Sequence, residues 1–118
     1  MIRLIGTRII IPKGDTGVFT LQRKENNSEL VRFFVQDPLT KKYVIEKDCS
    51  IAEDQIFIEI NHEDTKDLRA GKYFWDIKDY YMPVYDEDGV LIDAQEINSY
   101  YSAFKHPIFV VKEIAENE

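Results

Sequence analysis

A chain of 118 residues has the length of one domain, and its hydrophobic fraction of 44% and charged fraction of 31% are those of an ordinary globular protein with a core of useful size. With 15 basic against 22 acidic residues the net charge is −7; such a surface repels phosphate backbones and anionic lipid and argues against nucleic-acid and membrane partners. Cys49 is the single cysteine, so an internal disulfide and the usual secreted disulfide scaffold are both excluded.

The opening residues Met1 to Gly6 carry a charge at Arg3, but their apolar stretches are too short for a signal peptide and are broken by Arg8 and Pro12. No segment approaches transmembrane length. Cytoplasmic synthesis without export is the expectation. From Arg8 onward, apolar residues recur with the period of two that marks half-buried strands. Arg8 to Ile11 reads as a short edge strand. Gly17 to Gln22 places Phe19 and Leu21 on one face. Leu30 to Gln36 places Val31, Phe33 and Val35 on one face and Leu30, Arg32, Phe34 and Gln36 on the other, which predicts cover on both sides at one end.

Tyr43 to Lys47 is another short strand, and Gln55 to Asn61 is the cleanest, with Ile56, Ile58 and Ile60 inward. One helical turn is predicted within Asn61 to Leu68, capped by Asn61 with Asp64 three residues on. Lys72 to Lys78 sets Tyr73, Trp75 and Ile77 against Lys72, Phe74, Asp76 and Lys78. Asp86-Glu87-Asp88-Gly89 predicts a hairpin turn joining Met82 to Tyr85 with Val90 to Asp93. Ile108 to Lys112 closes the series, and the acidic tail from Glu113 to Glu118 is expected to fray.

Short strands at this spacing, without repeats or linkers, predict one β-sandwich or barrel over residues 1–118. The run Asp67-Leu68-Arg69-Ala70-Gly71-Lys72-Tyr73 narrows the choice. In immunoglobulin-type sandwiches a tyrosine at the start of a late core strand folds its hydroxyl back onto upstream backbone. Here Gly71 can supply a positive φ, Leu68 can plug the base of the core and Tyr73 can cover it. Two residues on, where antibody domains place a disulfide cysteine, stands Trp75. The predicted fold is an all-β, immunoglobulin-like β-sandwich of about seven strands. A long hairpin-like excursion separates its last two core strands, the path of residues 79–106 being open.

Candidate chemistry is sparse. His62 and His106 are the only imidazoles, and no nucleophile elbow, phosphate loop or Cys-x-x-Cys pair is present. His62-Glu63-Asp64 could ligate a metal, but adjacent turn residues seldom converge on one ion. Asp86-Glu87-Asp88-Gly89, with Asp93 and Glu96, is the best calcium candidate, yet Val90 and Ile97 stand where the calcium loop needs oxygen ligands; a hairpin turn explains the same residues. Neither catalytic, metal nor cofactor-binding residues are assigned, and no enzyme is expected. Cys49 lacks a cationic neighbour beyond Lys47 and reads as a packed thiol. The binding candidates are Tyr80, Tyr81, Tyr85, Tyr100 and Tyr101, five of the seven tyrosines, with Phe104 beside them. Tyrosine gives contact area at low entropic cost, which suits a protein or sugar surface and equally suits pinning a ribbon to the body.

Two segments carry a resemblance: Pro12-Lys13-Gly14-Asp15-Thr16-Gly17 entering Val18-Phe19-Thr20-Leu21, and Thr65-Lys66-Asp67-Leu68-Arg69-Ala70-Gly71-Lys72-Tyr73-Phe74-Trp75-Asp76-Ile77. With them the chain resembles the immunoglobulin-like β-sandwich domains of phage and prophage tail or baseplate proteins from Gram-positive bacteria. The resemblance implies a non-enzymatic structural or adaptor module, acting by protein contact or self-association and incorporated in a virion or phage-like particle. A carbohydrate-binding module using the tyrosine-rich ribbon is the alternative.

Overall fold

The structure is a computed structural model that describes residues 2–23, 29–99 and 107–113, with backbone alone for 95–99. In chain order the strands are β1 (Arg3–Ile5), β2 (Arg8–Pro12), β3 (Gly17–Gln22), β4 (Leu30–Gln36), β5 (Tyr43–Asp48), β6 (Ser50–Ala52) and β7 (Gln55–Ile60). After the single helical turn α1 (His62–Thr65) come β8 (Gly71–Tyr85), β9 (Leu91–Ser99) and β10 (Ile108–Lys112). One sheet runs β1-β2-β10-β8-β4-β5, with β9 beside the far part of β8, and the other runs β3-β7-β6. The two sheets pack face to face as an all-β sandwich. Its first and last core strands, β2 and β10, lie side by side in parallel, Ile9 opposite Phe109 and Ile11 opposite Val111.

Alternation decides which side of each strand is buried. Ile56, Ile58 and Ile60 of β7 face Val31, Phe33 and Val35 of β4, Ile9 and Ile11 of β2, and Tyr73, Trp75 and Ile77 of β8 across one apolar core. The seven predicted strands correspond to β2, β3, β4, β5, β7, β8 and β10. Three more appear. β1 and β6 are three residues each, too short to show a period, and β1 is exposed throughout. The third, β9, is the return of the excursion. β8 is 15 residues long because it continues past the sandwich as one strand of a ribbon.

The corner before β8 has the expected geometry. Tyr73 is 1% exposed, and its hydroxyl donates to the Arg69 carbonyl at 2.7 Å. Gly71 has φ 147, a conformation that L side chains rarely adopt, so this turn wants glycine for its backbone. Leu68 packs against the core edge. Helix α1 is the single turn expected within Asn61 to Leu68; it ends where the chain turns at Thr65 into this corner, with Leu68 N–H donating to the Thr65 carbonyl. Its predicted cap is present: Asn61 N–H donates to Asp64 Oδ2 at 2.7 Å.

Trp75 sits between the sheets. Its ring meets Phe19 of β3 edge-on at 6.0 Å and Phe33 of β4 at 5.8 Å, and its indole N–H donates to the Thr7 carbonyl at 2.9 Å. At 3% exposure its emission is expected to be blue-shifted in the native state and to move to the water value on unfolding. Trp75→Ala is expected to cost about 3 to 5 kcal/mol in denaturant unfolding, and Tyr73→Phe about 1 to 2 kcal/mol for the corner bond alone. Water-like emission from the folded protein would contradict this placement.

Candidate functional site

The feature that the sandwich does not need is the ribbon formed by the far half of β8 with β9. The last rung of β4 on β8 is Leu30 opposite Tyr80. Past it, among the described residues, β8 pairs with β9, through Tyr81 opposite Gln95, Val84 opposite Asp93 and Tyr85 opposite Leu91. The register shifts between Tyr81 and Val84 and again before Tyr85. Met82 takes φ 52 there and Pro83 has no N–H to offer, so the open edge of β8 is bent and blunted against strand addition.

At the tip, the Asp86 carboxylate accepts the N–H groups of Asp88 and Val90, each at 2.9 Å. Gly89 adopts φ 80 to complete the turn. Asp86 is therefore a turn-former, as the hairpin reading of the acidic run requires. Nor do the carboxylates and imidazole of the His62 segment converge. His62 Nδ1 lies 2.7 Å from the Gly14 carbonyl, Asp64 binds Lys47 Nζ at 2.6 Å, and Glu63 binds Lys66 at 2.8 Å. Among the described residues no three His, Cys, Asp or Glu side chains form a metal-holding group.

The predicted tyrosines divide. Tyr80 and Tyr81 are half-buried at the base of the ribbon, whereas Tyr85 is 47% exposed near the tip. Tyr100 and Tyr101, with Phe104 and His106, lie outside the described residues. What the tyrosine count did not reveal is the aliphatic surface between them: Met82, Val84, Val90 and Ile92 are 48% to 69% exposed. Their signal was present as alternating apolar residues in a hairpin that no described sheet covers. Exposed acids border them at Asp86, Glu87, Asp88 and Asp93, and none of the four meets a cation among the described residues.

A second concavity lies on the outer face of the large sheet. Phe34 and Tyr43 meet at 5.2 Å, and the Lys78 ammonium lies over both rings, 5.1 Å from the first and 6.0 Å from the second. With Phe74, Gln36 and Asp76 they line a cleft of about 140 Å³. Phe34 and Leu30 are both 7% exposed on this face, as expected from two-sided cover of β4. No protein-family profile, curated protein or solved structure matches the chain.

Elsewhere the titratable groups are structural. Burial, with the Asp48 charge behind it, pushes the Cys49 thiol up to about 12. At pH 8 its alkylation by iodoacetamide is expected to be about a thousandfold slower in the native than in the unfolded protein. Asp37 ends β4, where the Leu39 N–H at 2.8 Å and then the Arg69 guanidinium at 2.9 Å hold its carboxyl below 3.8. A depressed carboxyl stabilises the fold above its unfolded pKa and loses that contribution as pH falls through the folded value. Asp37→Asn is therefore expected to flatten the loss of stability as pH falls below the ordinary carboxylate range, read as the denaturant midpoint against pH.

Proposed function

We propose that the chain is a non-enzymatic structural or adaptor module that works by protein–protein contact, and that its setting is a phage or prophage tail or baseplate assembly. The observation that carries the contact reading is the β8–β9 ribbon, which stands clear of the sandwich while exposing Met82, Val84, Tyr85, Val90 and Ile92. A monomer gains nothing from holding such a surface in water, and exposed aliphatic and tyrosine side chains on a two-stranded support are suited to be buried by a partner. The tail setting is supported by the sequence resemblance of the Pro12 to Leu21 and Thr65 to Ile77 segments. In this reading the protein is carried into a particle after cytoplasmic synthesis.

Sedimentation of the purified chain with each tail protein encoded beside it tests the proposal. Val84→Ser with Ile92→Ser is expected to weaken the complex at least tenfold while leaving the thermal midpoint nearly unchanged, since both side chains are already in water. A wild-type chain that binds none of these proteins would defeat the proposal.

A second reading, carbohydrate binding, is favoured by the sheet-face cleft more than by the ribbon. Tyr43 is 47% exposed, and the aromatic walls of Phe34, Tyr43 and Phe74 suit the face of a pyranose ring. A glycan array with wild type and Tyr43→Ala separates the readings: glycan hits lost in the variant support this one, and a blank array removes it.

A further inference from the structure

The charge of this chain is segregated along its sequence, and the fold places the two extremes far apart. Residues 1–14 hold three bases, Arg3, Arg8 and Lys13, and no acid; residues 79–104 hold six acids, Asp79, Asp86, Glu87, Asp88, Asp93 and Glu96, and no base. Of these acids, Asp86, Glu87, Asp88 and Asp93 are exposed on the ribbon, while Asp79 is buried in β8. The basic stretch opens with the β1–β2 hairpin, whose strand β1 forms one edge of the large sheet.

Registers define the hairpin's outer face. Arg3 pairs with Ile10 and Ile5 with Arg8, and paired residues share a face, here the one opposite the buried Ile9 and Ile11. Two arginines thus flank Ile5 and Ile10, while Leu4, paired with the inward Ile9, lies on the other face of this edge. Ile5 is 53% and Leu4 41% exposed. Neither arginine is ion-paired among the described residues. Just before the hairpin, Ile2 packs against Gly17 of β3.

We infer that the ribbon of one copy docks on the β1–β2 hairpin of the next, a head-to-tail contact between a second copy of this chain and the first. The inference rests on the contact-module reading above and names the partner. The ribbon is apolar on both faces, Val84 beside Asp93 on one and Ile92 on the other, with exposed acids toward its tip, whereas the hairpin sets Ile5 and Ile10 between two arginines, so the two ends are both apolar and opposite in sign. Ribbon against ribbon would set acids on acids, and hairpin against hairpin would set arginines on arginines, so a symmetric dimer through either patch is disfavoured. Within one molecule the patches cannot meet. The hairpin turn lies level with Phe74, through β10, whereas Tyr85 stands 11 residues farther along β8, about 35 Å at 3.3 Å per residue. The molecule's long axis of 46 Å accommodates that separation. A heterologous contact repeats, giving a ring if its rotation closes and a filament if it does not.

Sedimentation velocity on the full chain, from about 10 µM to about 1 mM and at about 20 mM and 500 mM salt, provides the test. The mass is expected to rise above the 13.9 kDa protomer with concentration at low salt and to fall back at high salt. A ribbon variant, Val84→Ser with Ile92→Ser, and a hairpin variant, Ile5→Ser with Arg8→Gln, are each expected to associate at least tenfold more weakly alone. Mixed in equal amounts they should form a 1:1 pair that grows no further, because each supplies the surface the other lacks. Circular dichroism and the Trp75 emission establish that both variants are folded. A monomeric wild type, a hairpin variant that associates like wild type, or a mixture with no pair would overturn the inference. If the wild type is monomeric yet binds tail proteins through Val84 and Ile92, head-to-tail docking fails and the contact-module reading stands; if it does neither, both fail.

Discussion

The contact between Trp75 and Phe19 joins the two sheets at the centre of the core. In a disulfide-bonded sandwich a covalent bridge across this gap constrains the unfolded chain; with Cys49 alone, this protein must hold its sheets together by packing. The indole does so on two levels. Its ring fills the space between Phe19 and Phe33, and its N–H is satisfied by the Thr7 carbonyl, so a large polar-handled side chain is buried without an unmet donor. That same bond secures the turn between β1 and β2, so the edge hairpin is fixed by the residue that fixes the core.

The corner before β8 transmits this order outward. Tyr73 binds the Arg69 carbonyl, the Arg69 guanidinium lies 5.0 Å over the Tyr73 ring and reaches on to Asp37, and Asp37 shapes the turn between β4 and β5. The direction in which β8 leaves the corner is set by these bonds together with the β4 and β10 ladders on its two sides. Beyond Tyr80, where the β4 ladder ends, β8 is already aimed and needs only β9 to stay extended. The ribbon therefore projects from a fixed base, with its exposed apolar side chains placed for recognition.

Charge gives the projection its character. A net charge of −7 spread evenly would only keep the molecule apart from its copies. Concentrating acids on the ribbon and leaving the first 14 residues free of them makes the surface directional, with two ends that differ in sign and are both apolar. The outer-face cleft differs in kind. There Lys78 is spent on Phe34 and Tyr43, and the pocket has aromatic walls with mixed polar groups and no dominant charge.

By itself the sequence determined the seven core strands, the corner and the inward side of each strand, because a period of two and a few turn residues are local properties that burial enforces residue by residue. Ile56, Ile58 and Ile60 could face nowhere but inward, and Gly71 with Tyr73 announced its turn. The same reasoning found the tyrosine-rich excursion but misjudged its surface, since counting tyrosines passes over Met82, Val84 and Ile92. A hydrophobic residue on a strand reads as core whether or not a second sheet covers it. Only the tertiary structure decided that no described sheet does so here, that β1 is an edge, that Phe34 and Phe74 line a cleft with Tyr43, and that the acidic and basic ends stand about 35 Å apart. Those are properties of strand order and strand length past the sandwich, which depend on contacts between residues distant in the chain.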